Sequence, residues 1–134
     1  MVTLSMAAEG FAPPPSLLPA GGDVVSARAC AIRILSFVPL ASDPCNARLV
    51  LTAITLHLGS QNGPEPTLAD LLNALARLSR DVGPPVEFLR SPMQFLHYAA
   101  LEIGELDPDA RAHAFDLSLR AAAAAASECD RCTA

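Results

Sequence analysis

Apolar residues recur along this chain at three- and four-residue spacing, in blocks separated by proline and glycine. That period places the apolar side chains of each block on one face of a helix. The first block predicts a helix over 23–38, with Asp23 as its N-cap and Pro39 as its stop. Val24, Ala27, Ala31, Ile34, Leu35 and Val38 form its stripe, and Arg28 and Arg33 lie off the stripe's centre. Asp43-Pro44 opens a second helix to about Leu58, with Gly59 as a terminator. Leu49, Val50, Leu51, Ala53, Ile54, Leu56 and Leu58 cover most of its circumference. A helix apolar nearly all round belongs at the centre of a fold, surrounded by its neighbours.

The pattern repeats through the second half. Ser60–Pro66 is a loop, after which Thr67 caps a third helix with Asp70 in the acidic place of a capping box. Leu68, Leu71, Leu72, Leu75 and Leu78 make its buried face before Gly83-Pro84-Pro85 breaks the chain. Ser91-Pro92 opens a fourth helix to Ile103, closed by Gly104, and Asp107-Pro108 opens a fifth to about Ser127. No alternating strand pattern or hairpin turn competes. The fold class is therefore all-α, a compact bundle of about five helices. Residues 1–22, rich in proline, alanine and glycine, read as a flexible arm before a helical domain over 23–127, with 128–134 as a C-terminal tail.

Composition narrows the chemistry. The chain has 134 residues, enough for one domain with its own core, and all nine cations are arginine. Without lysine there is no Schiff base, no Walker-type phosphate lysine and no lysine general base. Gly21-Gly22 lacks the spacing of a phosphate loop. The net charge is −5, and the stretch 105–134 carries six acids against three arginines, the reverse of a duplex binder's footprint. Direct nucleic-acid binding is disfavoured, although Arg28, Arg33 and Arg48 make a local basic group. Met1–Gly22 lacks a basic start and an unbroken apolar stretch, so no secretory signal is expected, and no apolar run reaches the length of a membrane span. A reducing, cytoplasmic setting fits these features.

The candidate reactive groups do not assemble into a catalytic constellation. His57, His97 and His113 are separate, and none belongs to an H-x-x-x-H motif. His57 lies in the most apolar helix, where a buried or half-buried neutral imidazole is expected. A histidine brought onto a carboxylate in a pocket would be needed to support an enzyme. Cys129-Asp130-Arg131-Cys132 has the spacing of half a zinc site or a redox pair, but Cys30 and Cys45 are not a second such pair. Cys30 reads as a buried thiol, and Cys129 and Cys132 as part of a frayed tail. No catalytic residue, metal ligand or cofactor is assigned.

The stretch Ala47-Arg48-Leu49-Val50-Leu51-Thr52-Ala53-Ile54-Thr55-Leu56-His57, followed by Pro66-Thr67-Leu68-Ala69-Asp70-Leu71-Leu72, resembles the all-α domain of type IV secretion and conjugation coupling ATPases. The segment around Leu106-Asp107-Pro108-Asp109-Ala110-Arg111 is similar as well, so the likeness spans about 23–126. It implies recognition of a secretion substrate, a relaxase or an adaptor by a domain distal to the motor. The Walker elements of that motor are absent from this sequence, and with them any implied ATP hydrolysis.

The functional expectation is a non-enzymatic, protein-binding helical module. Its surface is expected to use Phe88, Met93 and Phe95 in the proline-broken segment 86–95, together with Asp107, Asp109 and Asp116 of the acidic last helix. The competing reading is a small phage- or plasmid-type regulator that blocks a larger machine or self-associates, with Ala121–Ala126 as the seam of a homodimer.

Overall fold

The computed structural model describes residues 23–39, 43–60 and 66–133, with side chains through Glu128. The arm expected over 1–22 lies outside the described residues, as does Ala134. Among the described residues there are six helices and no strand. They are α1 (Val24–Leu35), α2 (Cys45–Gly59), α3 (Leu68–Leu78), α4 (Val86–Leu89), α5 (Gln94–Glu105) and α6 (Pro108–Thr133). None of the described helices is long and apolar enough to cross a membrane.

The start signals act as their chemistry requires. Asp23 accepts from the Val25 N–H at 3.2 Å and from the Ser26 hydroxyl at 2.7 Å. Those bonds, the Ser26 one first, hold its carboxyl below the usual range. Asp43 accepts from the Cys45 N–H at 3.1 Å, and Asp107 from the Ala110 N–H at 2.9 Å. Thr67 and Asp70 close a reciprocal capping box, with the Asp70 N–H on Thr67 Oγ1 at 3.2 Å and the Thr67 N–H on Asp70 Oδ2 at 2.9 Å.

Helix ends and the segment before α5 depart from expectation for local reasons. α1 stops at Leu35, not Val38, because proline disfavours helical geometry in the residue before it. The Phe37 and Val38 N–H groups instead reach back three residues, to Ile34 and Leu35. Gly59 does not terminate α2; the helix closes one residue later, where the Ser60 N–H bonds back to Leu56 and His57. The one-turn helix α4 was not expected, and it delays the next. The Arg90 and Ser91 N–H groups bond back to Val86 and Phe88, so the chain is still leaving α4 where Pro92 stands. α5 therefore begins at Gln94, with Ser91 Oγ accepting from the Met93 N–H at 3.1 Å. α6 continues past Ser127 to Thr133, so most of the expected tail is helical.

The core forms around α2. Eight of its fifteen residues are buried, and it packs against α1, α3, α5 and α6. Ile34 and Leu35 reach it from α1, Leu71 and Leu75 come from α3, and Leu96 and Ile103 come from α5. α6 approaches on small side chains: Ala114, Ala121, Ala122 and Ala125 are buried, and buried Ser118 donates to the Ala114 carbonyl at 2.8 Å. Half of the alanine run thus serves the chain's own packing. Small side chains let two helix backbones come close, which no larger residue there would permit.

Gly104 serves packing rather than termination. It lies inside α5, and a Cβ there would stand 3.0 Å from Pro84 N, 3.1 Å from its Cα and 3.2 Å from its Cβ. Gly83, just before that proline, turns the chain with φ at +79°, a region open to glycine. Arg111 holds the turn by donating from Nη1 to the Gly83 carbonyl at 2.6 Å. Helix propensity alone favours alanine over glycine by about 1 kcal/mol, while overpacking against fixed backbone costs about 1–3 kcal/mol. Gly104→Ala is therefore expected to lower stability by about 1 kcal/mol in urea unfolding. A gain of similar size would show that the Pro84 segment yields.

Candidate binding groove

α1 and α5 both pack on α2, but not tightly on one another. The space between them is a groove of about 450 Å³ floored by the N-terminal half of α2. Helical spacing supplies its lining. Arg28 and Ile32 stand four apart on α1; Cys45, Arg48, Leu49 and Thr52 follow one stripe of α2; Phe95 and Tyr98 stand three apart on α5. Thr52 is buried and donates its hydroxyl to the Arg48 carbonyl at 2.6 Å, while half-buried Arg48 and Leu49 lie beside it on the floor. Ile32 is 52% exposed and Tyr98 54% exposed, one on each wall. The Phe95 and Tyr98 rings lie 6.0 Å apart at a tilt of 50°.

The charge of the groove sets it apart. Its lining holds Arg28 and Arg48 and no acidic residue. The ion pairs found among the described residues involve His57, Arg77, Glu87, Asp116 and Arg120, and neither groove arginine takes part. A second cleft, of about 490 Å³, lies between α6, the end of α5 and the 79–83 turn. Its arginines, Arg80 and Arg111, are matched by Asp81 and Asp116. Arg111 is further committed to the carbonyls of Gly83 and Ile103 and lies 5.6 Å over the Phe115 ring. A third depression, beside α4, sets Arg80 and Arg90 against Asp81 and Glu87.

The residues expected to bind a partner are divided among these places. Phe88 is 0% exposed, so it cannot serve as a docking side chain. The single turn of α4 points it inward, 5.4 Å from the His57 ring, and leaves Val86 and Leu89 outside instead. Met93 is half-buried against the core, while half-buried Phe95 lines the groove. Asp107, just before α6, and Asp109 and Asp116 on it are exposed, away from the groove lining. Asp107 is occupied as a helix cap, and Asp116 pairs with Arg120 at 3.0 Å. Ile32 and Tyr98 were missed because each interrupts a stripe that already faced the core.

His57 does meet a carboxylate, Glu87, with Nε2 at 3.3 Å from Oε2. Glu87 is also held by Arg77, through bonds of 2.6 and 3.2 Å. The cluster ties the ends of α2 and α3 to α4, and His57 lines none of the three clefts described here. His97 Nε2 donates to the Ser91 carbonyl and so braces the entry to α5. Cys30 is buried beside Thr55, and burial pushes its thiol up to about 11 against the opposing pull of Arg33 and the Thr55 hydroxyl. Cys45 is exposed on the groove rim. Among the described residues no three histidine, cysteine or acidic side chains converge as a metal site, and the Cys129 and Cys132 side chains lie outside the described set.

Comparison with family models, curated proteins and solved structures returns no match.

The Arg77 bonds, and secondarily its charge, hold the Glu87 carboxyl below its usual range against the effect of burial. A depressed value in the folded state means the stabilisation is present above the ordinary glutamate range and fades as pH falls through the lowered value. Glu87→Gln is expected to cost about 0.5–1 kcal/mol at neutral pH, the range of a solvent-screened pair. Chemical unfolding of both proteins across pH checks this: the gap should narrow on acidification. A gap independent of pH would remove the ion pair from the account.

Proposed function

We propose that this chain is a non-enzymatic protein-binding module and that the α1–α2–α5 groove is its docking surface. The supporting observation is that Ile32 and Tyr98, each more than half exposed, border one concave groove with half-buried Leu49 on its floor. Single exposed apolar residues such as Val25 are ordinary on a protein surface. Apolar walls facing each other across a groove are what a partner's side chain needs to leave water on both sides. Tyrosine adds a large contact area with little rotamer freedom to lose.

The likeness of 47–72 to the all-α domain of coupling ATPases indicates where to look for the partner, among export substrates, relaxases and adaptors. In that reading the groove receives a segment of the exported protein. α2, which carries the main stretch of the likeness, forms the floor.

The test is selection of a displayed random-peptide library on the full chain, with the recovered peptides titrated against wild type and the double variant Ile32→Glu/Tyr98→Ala. Both side chains are exposed, so the variant should keep its helix content and melting temperature. Recovered peptides are expected to bind the variant at least about tenfold more weakly, equivalent to about 1.4 kcal/mol. Peptides that bind both proteins alike, or none dependent on these two residues, would overturn the assignment.

A further inference from the structure

Resting on that docking role, we infer that the groove takes an acidic amphipathic segment of a partner protein, with partner carboxylates on Arg28 and Arg48 and partner apolar side chains between Ile32, Leu49 and Tyr98. The groove lining carries two guanidinium groups and no acid, on a chain whose net charge is −5. Of the other described arginines, Arg77 pairs with Glu87 and Arg120 with Asp116, while Arg80 and Arg90 form no ion pair but line depressions that also hold acidic residues. Arg111 is spent on backbone carbonyls. Arg28 and Arg48 have no such partner among the described residues, and they project from two different helices toward one space. Guanidinium forks match carboxylates in geometry as well as charge, so this pair favours Asp or Glu over a polar neutral group.

The spacing also constrains the partner. Arg28 and Ile32 are one helical turn apart on α1, and Leu49 adjoins Arg48 on α2, so each helix sets a guanidinium near an apolar side chain. A partner segment with acidic and apolar residues on one face, at three- or four-residue intervals, complements both. The concave shape favours a protein segment over a membrane. A flat anionic bilayer would meet the arginines and exposed tips without reaching Leu49 between the walls. The surrounding acidity adds selectivity, because a basic segment drawn to the protein's overall charge would be repelled inside the groove.

The test uses the same displayed library, read for composition, with titrations against wild type and Arg28→Ala/Arg48→Ala. Peptides that depend on Ile32 and Tyr98 are expected to be enriched in Asp and Glu together with Leu or Phe. They should lose at least about tenfold in affinity on the arginine-free variant and weaken with added salt. They should also slow alkylation of Cys45 relative to the free protein, as read by peptide mass spectrometry. Groove-dependent peptides that are neutral or basic, or that keep full affinity without the arginines, would overturn the acidic partner and leave the docking surface standing. An absence of any groove-dependent peptide would remove the docking surface itself. Stronger arginine-dependent binding to phosphatidylglycerol vesicles than to any recovered peptide would overturn the inference in favour of a lipid surface.

Discussion

Everything in this fold depends on the encirclement of α2. Val50, Leu51, Ala53, Ile54 and Leu56 are each at most 1% exposed, which no single neighbouring helix could achieve. Each large aliphatic side chain so buried contributes about 1.5–3 kcal/mol, which makes this one helix the largest contributor to the core. Its neighbours are arranged by that demand. α6 comes close on alanine and Ser118, α1 on Ala27 and Ala31, and α5 on Ala99 and Ala100. Small residues on the surrounding helices let large ones on the central helix be covered from several sides at once.

The groove is where the encirclement is incomplete. α1 and α5 both lean on α2 without meeting, and the strip of α2 between them holds Arg48 and Leu49, both only half-buried. An arginine cannot be fully buried without a partner for its charge, so the walls stay apart at that level. The α6 cleft is of similar size but holds Asp81 and Asp116 beside its two arginines, and Arg111 is fixed to the Gly83 turn. Size therefore does not distinguish the two clefts. What does is a lining that holds Arg28 and Arg48 with no acidic residue beside them.

Much of the fold was legible in the sequence, for reasons specific to its residues. Asp43-Pro44, Thr67 with Asp70, and Asp107-Pro108 state helix starts in side-chain chemistry, and the seven apolar or hydroxyl positions from Val50 to Leu56 announce a helix covered over most of its circumference. Helix ends were harder to read. Gly59 and Gly104 look like terminators, but Gly104 is small for the sake of Pro84, a contact 20 positions away in the chain. The groove was the least legible part. Arg28 and Arg48 were visible as a local basic group, yet their convergence depends on how α1 and α2 cross, which periodicity does not encode. Phe88 misled for the converse reason: a scarce aromatic in a proline-broken segment reads as surface, whereas a single turn of helix directs it onto His57.

The most direct test of a working groove is amide NMR mapping of the full chain during titration with a peptide recovered on it. Shift changes concentrated at Arg28, Ile32, Arg48, Leu49, Phe95 and Tyr98, with the 79–83 turn and 111–119 unmoved, are what the account requires. Changes centred on the 79–83 turn and the first half of α6, with α1 and α5 silent, would contradict it.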